Sequence, residues 1–249
     1  MTGALLLALG AVVAAPAAKP NPATAAGDTG FALTLAGGVA AIPLSWQTSA
    51  SWPLHAETAR LEAAQEAALG PAAELAVWYR FSSGLGVSAA FGWSRRDGSA
   101  EIDAVLPHPL YLARPRALHG STDGLRYSQV ASHLDLEWRP VHGRVDLSLF
   151  AGPSVLRTEA DLVASVTASE SYPYDEAAFA SAQAEVSRSS SSLGWNAGAA
   201  LAGAVAGRLD LGLQARYTRA TAELEAPGGG SVKVDAGGLE VTAFLRLRF

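Results

Sequence analysis

The amino-acid sequence predicts an all-β fold: an eight-stranded antiparallel up-and-down transmembrane β-barrel, with long extracellular loops and one short helix in the first loop. Three observations predict it. Apolar residues alternate with small or charged ones over eight segments of about ten residues, the length of a tilted strand crossing a bilayer. The connections between these segments alternate between tight and long. The face opposite the apolar one is mostly Gly, Ala, Ser and Thr, with few Lys or Glu, unlike a soluble surface.

Composition agrees. The 249 residues are 49% hydrophobic but only 16% charged, against about 25% in soluble chains. No apolar run reaches the roughly 20 residues of a membrane helix. The longest, residues 3–18, lies at the N-terminus. Residues 4–15 (ALLLALGAVVAA) read as the apolar region of a signal peptide, and Ala15-Pro16-Ala17 as its cleavage site, although no Lys or Arg precedes them. The domain reading is a signal peptide over 1–17, a Pro/Ala linker over 18–29 and a barrel over 30–249. A net charge of −5 with 18 Lys+Arg argues against a nucleic-acid partner. The absence of Cys excludes disulfides, thiolate zinc sites and Cys nucleophiles.

The first strand alternates Phe31, Leu33, Leu35 and Val39 with Ala32, Thr34, Ala36 and Gly38. Over residues 56–69, Leu61, Ala64, Ala68 and Leu69 share one helical face and Gly70-Pro71 ends it, which predicts the short helix. Leu75, Val77, Tyr79 and Phe81 mark the second strand; Leu85, Val87, Ala89, Phe91 and Trp93 mark the third. The fourth carries Val130, Leu134, Leu136 and Trp138, the fifth Val145, Leu147, Leu149 and Ala151. Leu193, Trp195, Ala197, Ala199 and Leu201 mark the sixth, and Leu209, Leu211, Leu213, Ala215 and Tyr217 the seventh. The eighth alternates Leu239, Val241, Ala243, Leu245, Leu247 and Phe249 with Glu240, Thr242, Phe244, Arg246 and Arg248. Tight turns at 82–84, 140–143 and 204–207 each end in Gly. The long connections 40–71, 94–126, 156–192 and 222–237 all fall at the other end of the sheet.

Alternation alone also fits a soluble sandwich with its apolar face inward. The aromatic residues favour the membrane reading. Phe31, Phe81, Trp138 and Phe249 fall near the tight-turn end, and Trp93, Trp195 and Tyr217 near the long-loop end, as two girdles would. The last strand, with Val241, Ala243, Leu245, Leu247 and the terminal Phe249, resembles the C-terminal assembly signal of bacterial outer-membrane barrels. The whole region resembles the small eight-stranded barrels of the OmpA/OmpX type in architecture and terminal motif. That resemblance implies export to the outer membrane, recognition by the barrel-assembly machinery, contact with outer-membrane lipids and a monomer. Both termini are then periplasmic and the four long loops extracellular.

The charges expected in the lumen are Glu74, Arg80, Asp135, Glu137, Arg139, Asp146, Asp210, Arg216, Glu240, Arg246 and Arg248. Charges in a low-dielectric tube must be paired or hydrated, so a closed salt-bridge network is expected, with Arg139 near Asp146 and Arg246 reaching Asp210. Among the His residues, only His133 lies in a predicted strand, on the inward face with Asp135. No inward Ser follows it at two-residue spacing, so it reads as a structural lumen residue. His55, His108 and His119 are spaced too widely for a metal motif, and His142 reads as a turn residue. No cofactor or metal is expected. The functional expectation is a non-enzymatic barrel with a structural or surface-interaction role, its loops open to an extracellular ligand. The alternatives are a narrow channel for small solutes or ions and, more remotely, a lipid-modifying enzyme.

Overall fold

The computed structural model describes residues 30–249, apart from 82, 83, 142, 144, 189, 190 and 228. The expected signal peptide and linker, and parts of the turns at 82–84 and 140–143 including His142, lie outside the described residues. Eleven strand segments follow in order: β1 (Gly30–Ala40), β2 (Leu44–Leu54), β3 (Glu57–Ala67), β4 (Gly70–Arg80), β5 (Leu85–Leu106), β6 (Arg116–Val141), β7 (Val145–Glu170), β8 (Ala177–Arg188), β9 (Ser192–Ala206), β10 (Leu209–Glu225) and β11 (Ser231–Arg248).

Eight of them close a ring. β1 pairs with β4 and β11, β5 joins β4 to β6, β7 joins β6 to β9, and β10 joins β9 to β11, all antiparallel. Closure leaves no unpaired edge in this tier. Every alternating segment read from the sequence supplies one ring strand.

The expected helix over 56–69 is absent; there is no helix among the described residues, and this stretch is mostly β3. His55 and Ala56, both with positive φ, form a two-residue turn between β2 and β3. Ala59, Leu61, Ala63, Gln65 and Ala67 point inward, and Arg60, Glu62 and Glu66 outward. Ladder bonds to β2 on one side and β5 on the other override the helical preference of this Ala/Glu/Leu-rich stretch.

The expected long loops are largely strand as well. β6 and β7 have 26 residues each, against roughly 9–11 for a bilayer crossing. Their polarity inverts partway up. Along β5, Leu85, Val87, Phe91 and Trp93 face outward over Gly86, Ser88, Gly92 and Ser94; then Arg95, Asp97, Glu101 and Asp103 face outward over Ala100, Ile102, Ala104 and Leu106. The lower tier is apolar outside and polar inside; the upper tier is the reverse. Leu61, Ile102, Leu118 and Val163 share the upper core, as a water-soluble sheet requires.

The upper tier is not a closed ring. β8 pairs with β7 and β2 with β3, while the tops of β10 and β11 pair only with each other. At the β8–β10 seam Ser187 donates to the Glu225 carbonyl at 2.8 Å; beside the other seam, the Ala41 N–H donates to the Leu239 carbonyl at 2.7 Å and carries the β1–β11 ladder one residue further.

Candidate functional site

The lower lumen is narrow because eight strands leave room only for side chains. Two aromatic rings fill it over glycines: Phe150 lies where a Cβ on Gly198 would sit, and Phe244 where one on Gly212 would sit. Any larger residue at either glycine must displace a ring.

At mid-height Arg216 is the centre of a buried network. Its guanidinium pairs with Glu74 at 3.0 Å and Asp135 at 2.8 Å, donates to the Asn196 amide oxygen at 2.5 Å, and lies 4.6 Å over the Phe150 ring. Asn196 donates to Asp135 and to the Ser154 hydroxyl; Gln214 donates to Glu74. The register explains the assembly. Inward positions of β4, β6, β7, β9 and β10 reach one level, so residues far apart in sequence meet across the tube.

His133 Nδ1 lies 2.8 Å from the Ser154 hydroxyl on the neighbouring strand. A Ser–His pair therefore exists, across strands rather than along one, which two-residue spacing does not detect. Both residues are buried, His133 to 5% and Ser154 to 1% exposure, and Asn196 donates to the same Ser154 hydroxyl. The pair has the reach of a nucleophile and base but lies within the buried network rather than at an exposed surface.

Nearer the tight turns, Arg139 pairs with Asp146 at 3.3 Å. Asp210 pairs with Arg248 at 3.0 Å, not with the Arg246 expected from the sequence. Arg246 stands directly opposite Asp210 in register, but its guanidinium lies over the Trp78 and Phe244 rings instead. Arg80 is half-buried near this mouth, and Glu240 is half-buried on β11 opposite Arg216 in register. The remaining residue of the charge list is Glu137, buried beside the same mouth.

Outside, Phe31, Phe81, Trp93, Trp138, Trp195, Tyr217 and Phe249 all face outward and are exposed. So do Val241, Ala243, Leu245 and Leu247 of the last strand. Between the level of Leu85 and Trp138 and the level of Trp93 and Val130 runs a belt of exposed apolar side chains. A belt of this kind on a closed sheet is the exterior of a transmembrane barrel.

One residue at the boundary between the tiers is not evident from sequence. Arg96, 1% exposed, points inward from β5 and reaches across the lumen. It donates to the carbonyls of Ile42 at 2.5 Å and Gly237 at 3.0 Å, and lies over the Tyr127 ring. It thus ties the break between β1 and β2 to β11, where the ladder between them ends. In the sequence it falls inside an apparent loop, Ser94-Arg95-Arg96-Asp97; only the continued alternation past Trp93 marks it. Arg96→Leu leaves the buried Gly237 carbonyl without this donor, at about 1–3 kcal/mol, and removes the bond to the partly buried Ile42 carbonyl as well. The expected result is rapid proteolysis of the upper tier in protein whose lower tier stays folded, read by limited trypsin digestion and mass spectrometry.

At the top, two hairpin tips are latched together. Arg116, from β6, donates to the carbonyls of Pro107 and Tyr174 and pairs with Glu170 at 2.7 Å. Arg114 pairs with Asp175 at 2.9 Å. His108 Nδ1 accepts the N–H groups of Leu110 and Tyr111, which curls the tip. His119, lower on the outer face of β6, contacts Asp103. The curled tips leave Leu110, Tyr111, Leu112 and Tyr172 outside, the last two at 76% and 81% exposure.

No family model and no curated protein matches the chain. Solved structures do resemble it. Neisserial surface protein A is 14% identical, with 89% of this chain and 98% of that one covered and a TM-score of 0.43. The outer-membrane protein OprG from Pseudomonas aeruginosa is 14% identical over 90% and 98%, with a TM-score of 0.46. The outer-membrane protease OmpT from Escherichia coli is 11% identical over 91% and 99%, with a TM-score of 0.40. These are likenesses of fold, and they include both an enzyme and proteins not named as one.

Proposed function

We propose that this chain is an integral protein of the bacterial outer membrane whose role lies at the cell surface and involves no catalysis. The observation that carries the reading is the pairing of a filled lumen with latched, apolar tips. Arg216 and its partners fill the lower tube, and Leu61, Ile102, Leu118 and their neighbours fill the upper one. The exposed Leu110, Tyr111, Leu112 and Tyr172 lie on tips that His108, Arg114 and Arg116 tie together. Loops tied by hydrogen bonds and ion pairs that present apolar side chains suit contact with another molecule. In this reading the belt meets outer-membrane lipid, the C-terminal strand is read by the barrel-assembly machinery, and the protein is a monomer in the bilayer.

The test has two parts. Membrane fractionation with protease shaving of intact cells is expected to recover the protein in the outer membrane, with cleavage confined to the tips around 55–56, 107–115, 171–176 and 226–230. Planar-bilayer recording of the purified protein is expected to be silent. Steady conductance would replace this reading with the narrow channel, and recovery in the aqueous fraction without detergent would remove it.

A further inference from the structure

We propose that the tight-turn mouth of the lumen is a binding site for hydrogen phosphate. A cavity of about 330 Å³ opens there, lined by Trp78, Arg80, Glu137, Arg208, Arg246 and Arg248 among others. It has room for several molecules the size of water, at about 30 Å³ each. Its wall carries three buried donors and one buried acceptor without partners. The Arg246 Nη2, Trp78 Nε1 and Arg248 Nε donors are buried and have no partner, although Arg246 is 98% and Trp78 96% removed from solvent. The other Arg246 contacts are a long bond from Nε to the Thr34 hydroxyl, 3.4 Å, and the Trp78 and Phe244 rings. Glu137 Oε1 is a buried acceptor on the same wall with no donor.

Three donors beside arginines call for an anionic oxygen ligand. The one unpartnered carboxylate oxygen, Glu137 Oε1, narrows the choice, since Asp210 and Asp146 beside it are already paired with Arg248 and Arg139. Sulfate has no proton at neutral pH and would set an anionic oxygen against Glu137. Inorganic phosphate keeps at least one proton, so it can donate to Glu137 Oε1 while accepting from Arg246, Trp78 and Arg248. The phosphodiester of an ordinary phospholipid headgroup lacks that proton and falls on the sulfate side. The site lies outside the Arg216 network and needs neither a conducting lumen nor a binding role for the tips.

The experiment uses the folded barrel in an uncharged maltoside detergent at pH 7 and constant ionic strength. The probe is the Trp78 indole N–H resonance, assigned with Trp78→Phe. Inorganic phosphate is expected to shift it saturably, with sulfate at least about tenfold weaker. Arg80→Gln, at the half-buried rim, should weaken phosphate about tenfold with the other indole resonances in place, which shows the barrel intact. Glu137→Gln should narrow the gap between phosphate and sulfate. A response absent through tens of millimolar phosphate, or equal for phosphate, sulfate and chloride, overturns the proposal. So does a shift produced by phosphatidylglycerol vesicles and not by free phosphate.

Discussion

Arg216→Met is expected to lower the unfolding free energy of the barrel by about 3–5 kcal/mol, the cost of breaking a buried ion pair from one side. The magnitude follows from what is left behind. Glu74 and Asp135 are 4% and 1% exposed, and each keeps one amide donor, from Gln214 and Asn196. Two carboxylates then share a closed tube with no cation at their level. The triple variant Glu74→Gln, Asp135→Asn, Arg216→Met removes all three charges and should recover most of the loss, because a neutral hydrogen-bonded lumen carries no desolvation penalty of this size. Urea unfolding in lipid vesicles, followed by tryptophan fluorescence and gel mobility with and without heating, measures both. A loss below about 1 kcal/mol for the single variant would mean that water already reaches this level and solvates the acids.

The second large effect separates the two tiers. Leu134 faces outward opposite Ala89, midway between the Leu85–Trp138 and Trp93–Val130 levels. Leu134→Arg is expected to cost about 2–4 kcal/mol, as at a bilayer midplane. Val105→Arg, also outward on an exposed position but in the upper tier, should stay within about 0.5 kcal/mol. A soluble barrel in water would tolerate both alike. The same urea measurement in vesicles reads the pair, and equal costs would place the belt in water rather than lipid.

The lower tier was legible in the sequence because lipid outside and polar groups inside keep a clean two-residue period from Phe31 to Phe249. The upper tier was not, for a physical reason. Past Trp93 the same period continues with its polarity exchanged, so Arg95 takes the outward place of Trp93 and Ile102 the inward place of Ser88. Hydropathy averaged across that exchange looks like a loop. Over 57–67 the inward face is mostly alanine, whose small side chain suits a helix or a crowded sheet equally, and only the pairing with β2 and β5 decides. The lumen charges could be placed by their inward parity, but parity does not assign partners. Arg246 and Arg248 are both inward, and the aromatic surface of Trp78 and Phe244 draws the first away from Asp210. Asn196 and Ser154 bind the network without charge; Asn196 falls on the inward face of the sixth predicted strand, while Ser154 lies past the end of the fifth.

The exchange of polarity also bears on how such a chain reaches its final state. In the proposed membrane the outward charges of the upper tier, among them Arg60, Glu62, Arg95, Asp97, Glu101 and Asp103, must pass through hydrocarbon before they meet the far aqueous side. Each transit has a barrier of up to about 2–4 kcal/mol for a basic residue, and less for an acidic one. Hairpins that cross together sum these terms. Spontaneous insertion should therefore be slow in thick, well-ordered bilayers and faster where thinning or a catalyst opens a polar route, while the finished barrel cannot easily withdraw. The charges that keep the upper tier soluble then act as barbs, holding the protein by kinetics after lipid and backbone pairing have set its equilibrium.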